Sequence, residues 1–360
     1  MRYTLTIVEQ LDRSSRELAT DHPISNRLAL ILVDNATELM LHRQCTDRLE
    51  LDSMASGLWK AHQSLIGGRS SEDQPEFSEE SKRDMLTPRQ RSQAKGVFLD
   101  GKLKVLEGMG DITSKERRFI AIAHGYRNEL YHVGLTRDEI IRAIAAQFFL
   151  LSCDLFTRLG NKGFFGPSFT SEDQYTDIAK RYLPMHNGRL LCLDVDKADL
   201  AAKLRSTLPA GMPDLAVTLA SSATKSIKSV TDAFAFLVRD NPFSFDEDKM
   251  LTFAQLQRDL TKALEREDVD GLWIDPNCRE GFSRVATELE ENWRQRHSSL
   301  PHQRWMRRAT AIGQERDPLT ALDLYQALRN DMSYLEESIL SASSELDRWT
   351  QQQVDRALGK

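Results

Sequence analysis

A pair of helices with clearly marked ends, between Thr113 and Gly160, constrains the fold of this 360-residue chain more than any other feature. Thr113 or Ser114 is suited to cap the first helix, because a hydroxyl accepts a hydrogen bond from the first free N–H groups of a helix. Gly134 stands where the left-handed residue after a helix belongs. Thr136–Glu139 is a capping box that begins a second, strongly apolar helix. Because the connection is short, we expect the two helices to form an antiparallel pair.

Most of the remaining chain shows the same helical spacing of apolar side chains. A long helix is predicted from Pro23, a proline at the first helical position, and helical patterns return over much of 215–358. The 18 glycines and 11 prolines are too few for the many turns of an all-β sandwich or barrel. The predicted fold is mainly α: a helical bundle at 1–165, with a polar loop at 67–96, followed by a helical region at 166–360.

The overall charge does not by itself indicate a nucleic-acid-binding protein. The net charge is −6, so any contact with nucleic acid must come from a local basic patch. The N-terminus lacks the apolar stretch of a signal peptide, and the longest apolar runs are much shorter than a membrane span. Cys45, Cys153, Cys192 and Cys278 are widely scattered, which favours reduced thiols over zinc ligation or disulfides. We therefore expect a soluble cytoplasmic protein without membrane association.

The segment Arg127–Gly134 (RNELYHVG) contains the residues best suited to catalysis. RNA is cut when its 2′-hydroxyl is deprotonated, the phosphate charge is neutralised and the 5′-oxygen leaves with a proton. His132 can give or take that proton near neutrality, and Arg127 offers a planar permanent charge that matches phosphate oxygens. Asn128 is suited to orient the histidine or to donate to phosphate. Asn128 and His132 share a helical face with His124, whereas Arg127 lies about 140° from His132 on an ideal helix.

This segment resembles the Arg-polar-x-x-x-His signature of the HEPN superfamily, and the resemblance extends over roughly residues 22–160. It implies a compact helical bundle and a metal-independent endoribonuclease that leaves a 2′,3′-cyclic phosphate and a 5′-hydroxyl. It also implies RNA as the substrate, a homodimer with a composite active site, and no cofactor or metal. In that site His132 is the general acid or base, Arg127 stabilises the transition state and Asn128 positions both. Fraying of the helix before Gly134, or two facing copies, would bring Arg127 and His132 together.

Two further residues are candidates to support this site. Asp34 stands with Glu38 in an otherwise apolar run, and family members often carry a polar or acidic residue on a preceding helix that is directed at the histidine. Tyr131 directly precedes the histidine. Toxin members of the family often carry a tyrosine two residues after it, where this chain has Gly134, so control by nucleotidylation is not indicated. The alternative is an ordinary helix end, with Arg127 solvated or paired and the two acids in a satisfied salt bridge.

A basic run from Arg294 to Arg308 is the second candidate contact with RNA, since it contains no acidic residue. A tryptophan among arginines is suited to stack a base while the arginines neutralise phosphates. The alternative is a solvated helix end whose tryptophan belongs to the core. The candidate RNA-binding residues are Arg304, Trp305, Arg307 and Arg308. A second Arg-x-x-x-x-His pair, Arg181 with His186, contains a proline that breaks any helix, and we interpret it as a coincidence.

These observations predict an endoribonuclease of HEPN type that acts as a toxin or an antiphage defence effector. The implied partners are RNA, a second copy of the chain, and an antitoxin or a sensor protein. The C-terminal helices are then expected to regulate the N-terminal bundle or to bind partners. The alternative from another class is a non-catalytic helical module that binds nucleotides or proteins as a sensor or regulatory subunit.

Overall fold

The computed structural model describes residues 2–66, 85–132, 138–159, 176–182, 185–186, 189–190, 196–266 and 291–358. Within these ranges the chain is mainly α-helical, as the sequence predicts, with twelve helices and one small sheet. The chain divides into two compact units. Unit 1 comprises Met1–Thr218 with Asp317–Asp323, and unit 2 comprises Leu219–Arg316 with Leu324–Lys360.

Unit 1 is organised around one long helix, α2, which spans 44 residues. Helix α2 contacts α1, α3, α4, α5 and α6. The two short strands pair in antiparallel fashion. The described elements of this unit are α1 (Arg2–Ala19), α2 (Pro23–Ile66), α3 (Pro88–Lys95), α4 (Leu99–Gly108), α5 (Ser114–His132), α6 (Asp138–Arg158), α7 (Thr176–Tyr182), β1 (Met185–His186), β2 (Arg189–Leu190) and α8 (Lys197–Ser206).

Helix α1 is present in the structure in addition to the helices predicted from the sequence. Its apolar face, which includes Ile7, Val8 and Leu11, is fully buried, and the helix packs along α2. Between the two helices, Asp21 adopts a φ of 50°, in the left-handed region that aspartate tolerates better than most residues. The chain then enters α2 at Pro23, where the missing N–H of proline leaves no helical bond unmade.

Helices α5 and α6 are the helix pair that the sequence predicts, and they contact each other. The hydroxyl of Thr113 accepts a hydrogen bond from the N–H of Glu116 at 3.2 Å, and the Glu116 carboxylate accepts one from the N–H of Thr113 at 2.8 Å. This reciprocal pair is a capping box at the start of α5. Between the helices, the rings of Phe119 and Phe148 meet edge to face with centroids 5.8 Å apart. Gly134 and most of the predicted second capping box lie outside the described residues.

Helix α3 lies within the stretch at 67–96 that the sequence predicts to be a polar loop. The hydroxyl of Thr87 accepts a hydrogen bond from the N–H of Gln90, and the Gln90 side chain accepts one from the N–H of Thr87 at 2.9 Å. This capping box begins a helix in a segment whose few apolar residues do not indicate one. The prediction of a loop is therefore wrong for 88–95, and 67–84 lie outside the described residues.

Unit 1 continues past residue 165, where the sequence-based division of the chain falls. Helix α7 contacts α1, and α8 contacts both α1 and α6. The buried carboxylate of Asp12 in α1 accepts two hydrogen bonds from Arg181, at 2.9 and 2.8 Å, and one from the hydroxyl of Tyr182 at 2.5 Å. Because a buried carboxylate is stable only with such partners, this network attaches α7 to the bundle. Arg181, of the second Arg–His pair, thus has a structural role.

Unit 2 contains most of α9 (Leu215–Asp240), all of α10 (Glu247–Arg266) and α11 (His302–Gln314), and most of α12 (Pro318–Ala357). Polar contacts join these helices inside the unit. The hydroxyls of Ser222 in α9 and Tyr325 in α12 lie 3.2 Å apart in the core. Arg258 in α10 forms an ion pair of 2.6 Å with Glu337 in α12. The helical C-terminal region predicted from the sequence is therefore present over the described residues.

The segment Glu139–Arg158 in α6 is the one described stretch that is long and apolar enough to cross a membrane, with a mean hydropathy of 1.6. However, 72% of its most apolar window is buried inside the fold, as is typical of a core helix in a soluble protein. Two of the cysteines, Cys45 and Cys153, are buried free thiols whose pKa values burial raises. Cys192 and Cys278 lie outside the described residues.

Candidate functional site

Polar side chains from two neighbouring helices meet in unit 1. On α2 two of them lie three and four residues before the third, and on α5 two lie three and four residues after the first, so each set occupies one side of its helix. Helices α2 and α5 are in contact, which brings the two sets together. We call this set the α2–α5 polar cluster, and its members are Asp34, Asn35 and Glu38 from α2 and His124, Arg127 and Asn128 from α5.

Asp34 is the buried centre of this cluster, with a side chain that is 0% exposed. Its two carboxylate oxygens lie 3.0 and 3.2 Å from Nδ1 of His124. Its Oδ2 atom also lies 3.5 Å from Nε of Arg127. Burial raises the pKa of Asp34, and the hydrogen bond from His124 opposes this rise. The carboxylate is therefore held by two cationic partners, which a buried charge requires.

His124 lies between two carboxylates. In addition to Asp34, the Oε1 atom of Glu38 lies 3.1 Å from its Nδ1. The hydrogen bonds to Asp34 and then to Glu38 raise the pKa of His124 to about 9, against the opposing effect of burial. The same contact lowers the pKa of Glu38. His124 is therefore an imidazolium at neutral pH, with both ring nitrogens protonated.

The guanidinium of Arg127 is held in one orientation by its neighbours. Its Nη1 donates to Oδ1 of Asn128 at 3.1 Å, and its Nη2 donates to Oδ1 of Asn35 at 3.4 Å. Together with the ion pair to Asp34, these contacts fix the plane of the group. The side chain remains 24% exposed, so part of this positive charge faces solvent. The arrangement is suited to bind an anion from the solvent side.

For Tyr131 and His132 of the signature, the structure describes the backbone but not the side chains. This backbone forms the last turn of α5. The helix continues through His132 without a break in its backbone. Asp34, which the family resemblance directs at the histidine of the signature, contacts His124 and Arg127 among the described residues.

A cavity of about 420 Å³ adjoins the α2–α5 polar cluster. Two members of the cluster, Asn35 and Glu38, form part of its wall. His42 and Lys102 add further polar groups, and the volume lies in the range of small-molecule and nucleotide sites. A ligand in this cavity would therefore lie beside the residues that hold His124 and Arg127.

Three residues of the cluster also have the composition of a metal site, although the sequence predicts none. The nearest ligand atoms of Asp34, Glu38 and His124 all lie within 4.8 Å of one another. The sequence shows the first two as an acidic pair four residues apart, but His124 is 86 positions beyond Glu38. The set therefore exists only because α2 packs against α5, and no ligand spacing along the chain indicates it.

Trp305 of the basic run is wholly buried, and its prediction as a base-stacking residue is wrong. Its Nε1 donates to Oδ2 of Asp331 at 3.2 Å, and Arg308 donates to the same oxygen at 2.8 Å. The helical spacing of Trp305, Ala309 and Ile312 explains this, because all three face the core of unit 2. Arg304 and Arg307 are exposed, although Arg304 lies 3.7 Å from the same oxygen of Asp331, and their contact with RNA stays a prediction.

Comparisons with protein-family models, with curated proteins and with solved structures find no match to this chain. The structure establishes a mainly α-helical protein with two compact units. Any function assigned to it has to be argued from the chemistry of the α2–α5 polar cluster and of the signature at the end of α5.

Proposed function

We propose that this chain is a metal-independent endoribonuclease of HEPN type, which cuts RNA by attack of the 2′-hydroxyl on the adjacent phosphate. The observation that carries the proposal is the fixed and partly exposed guanidinium of Arg127. A planar cation held in advance of the reaction stabilises the charge that develops on the phosphoryl oxygens. Because Asp34, Asn35 and Asn128 hold it, little reorganisation is needed when RNA binds.

The proton transfers are assigned to His132. The other histidine of this helix, His124, is held between two carboxylates and has a pKa of about 9. It is therefore protonated at neutral pH and poorly suited to accept a proton from the 2′-hydroxyl. Its role in this proposal is to compensate the buried charge of Asp34, which in turn orients Arg127. His132 then acts as the general acid or base.

The unbroken helix supports a composite site in a homodimer. On an ideal helix, five residues rise by about 7.5 Å and turn by about 140° beyond a full turn, so Arg127 and His132 of one chain point in different directions. Because α5 remains helical through His132, fraying of the backbone before this residue does not bring them together. Two copies that face each other would place Arg127 of one chain near His132 of the other.

The biological setting that we propose is a cytoplasmic toxin or antiphage defence effector, with an antitoxin or a sensor protein as a regulatory partner and no membrane association. The second candidate is a non-catalytic module that binds nucleotides or proteins. The cavity of about 420 Å³ beside the cluster favours this second candidate, because it offers polar groups for a bound small molecule without requiring any reaction.

Incubation of the full-length protein with structured RNA in the presence of EDTA distinguishes the ribonuclease from the binding module. The ribonuclease cuts the RNA, leaves 2′,3′-cyclic phosphate ends, and loses activity in H132A and in R127A. Arg118 is a matched control, because it lies on the same helix and is exposed in an ion pair with Asp323. R118A should cut at the wild-type rate. Absence of cleavage by the wild-type protein would reject the ribonuclease in favour of the binding module, and full activity in H132A would reject the HEPN-type mechanism.

A further inference from the structure

Two carboxylates converge on a single ring nitrogen in the α2–α5 polar cluster. Nδ1 of His124 lies 3.0 Å from Oδ2 of Asp34 and 3.1 Å from Oε1 of Glu38. Zinc binds nitrogen and carboxylate oxygen at about 2.0–2.2 Å, so adjacent ligand atoms around one tetrahedral ion lie roughly 3.3–3.6 Å apart. The two distances from Nδ1 are slightly shorter than this, so a small movement of the side chains would place all three ligand atoms around one metal ion.

We propose that Asp34, Glu38 and His124 form a binding site for a divalent transition-metal ion, with Zn²⁺ as its representative. One imidazole with two carboxylates, and no thiolate among them, suits Zn²⁺ or Mn²⁺ better than soft ions or Ca²⁺. Three protein ligands leave at least one coordination position for water or for a phosphate oxygen. The side chains of Glu38 and His124 are partly exposed, which gives the ion a route from solvent.

The convergence of two acids is more than a simple ion pair requires. The Nδ1 atom of His124 has one hydrogen to donate, and one carboxylate satisfies it. A second carboxylate at 3.1 Å adds repulsion between Asp34 and Glu38. An ion that takes the place of the Nδ1 proton would be coordinated by the nitrogen and would neutralise both acids together.

Arg127 is suited to hold the Asp34 carboxylate in position as a metal ligand. Metal-binding carboxylates are usually held by a second hydrogen-bonding or charged group, which fixes their orientation. Nε of Arg127 lies 3.5 Å from Oδ2 of Asp34, so Arg127 helps to orient this carboxylate. This metal site goes beyond the proposed ribonuclease, which needs no ion, and cleavage in EDTA tests that function separately.

The test is isothermal titration calorimetry with ZnCl₂ on full-length protein that has been treated with EDTA and dialysed. We expect the tightest site to bind one ion per chain and to weaken by at least about tenfold in E38Q and in H124Q. Glu50 is an exposed acid on the same helix, and E50Q should bind as the wild-type protein does. Circular dichroism verifies that each variant is folded.

Visible absorption of the Co²⁺-loaded protein reports the ligands directly. The wild-type protein should show d–d bands whose position and intensity change in H124Q, since a nitrogen ligand is lost. The proposal is overturned if the wild-type protein binds no ion. It is equally overturned if E38Q and H124Q both bind Zn²⁺ as tightly as the wild-type protein, because the ion would then be held elsewhere.

Discussion

The buried carboxylate of Asp34 in α2 lies 3.0 Å from Nδ1 of His124 in α5, and 90 positions of sequence separate the two residues. This contact links the long central helix to the helix that carries the RNA-cleavage signature. It also determines the charge state of His124, and through Asp34 it affects the position of Arg127. Changes at Asp34 should therefore be detectable both in the titration of His124 and in the function of Arg127.

Replacement of Asp34 by asparagine should lower the pKa of His124 from about 9 towards the value of an unperturbed histidine, about 6.5. The largest single cause of the raised pKa is the hydrogen bond to Asp34, and the contact with Glu38 comes second. E38Q should therefore produce a smaller shift than D34N. The measurement is an NMR titration of the His124 ring protons. An unchanged pKa in D34N would contradict the assignment of Asp34 as the main partner.

The stability of the metal-free protein should decrease as the pH rises from about 6.5 to about 9. The folded-state pKa of His124 is about 9, which is above its unfolded-state value of about 6.5. The charged histidine therefore contributes its full stabilisation below about pH 6.5, and this contribution is lost as the pH rises through about 9. The charged groups that face it are Asp34 and Glu38, and Arg127 lies beside Asp34. The whole effect is of the order of 3 kcal/mol at most.

Urea denaturation of the wild-type protein and of H124Q across this pH range measures that contribution. The difference in the free energy of unfolding between the two proteins should be largest near pH 6 and should shrink towards pH 10. A difference that is constant with pH would show that folding does not shift the pKa of His124.

Features fixed by neighbouring residues could be predicted from the sequence. The start of α5 is one example, because Thr113 and Glu116 form a capping box within a single turn. Helix α3 was not predicted, although its capping box at Thr87 and Gln90 is equally local, because its surface is almost entirely polar. Helix α1 is amphipathic, but its burial depends on packing against α2 and not on a marked start or end.

The candidate site was predictable only for residues within one helix. Arg127 and Asn128 stand out because they precede a histidine at a recognisable spacing. The contacts of Asp34 with His124 depend on the packing of α2 against α5, and one sequence does not contain that information. The burial of Trp305 was obscured by the charged residues around it, although its spacing to Ala309 and Ile312 is that of a buried helical stripe.

The replacement of Trp305 by alanine should destabilise unit 2 by about 3–5 kcal/mol, because a fully buried aromatic side chain is lost and a cavity remains. Arg304 is one residue earlier and 63% exposed, so R304A should change the free energy of unfolding by less than about 0.5 kcal/mol. Urea denaturation followed by far-UV circular dichroism measures both variants. A W305A variant as stable as the wild-type protein would contradict the packing of Trp305 in the core of unit 2.

Mixed dimers of R127A and H132A should cut RNA, although neither variant is active alone. If the active site is composite, such a dimer retains one intact Arg127 and one intact His132 on different chains, and the two face the same phosphate. If both residues act within one chain, every site in the mixture is defective. Heterodimers isolated through two different affinity tags provide the sample, and cleavage of structured RNA in EDTA provides the measurement. R127A paired with the double variant R127A/H132A is the control and should be inactive, since no arginine remains. Confirmed heterodimers without activity would contradict the composite site.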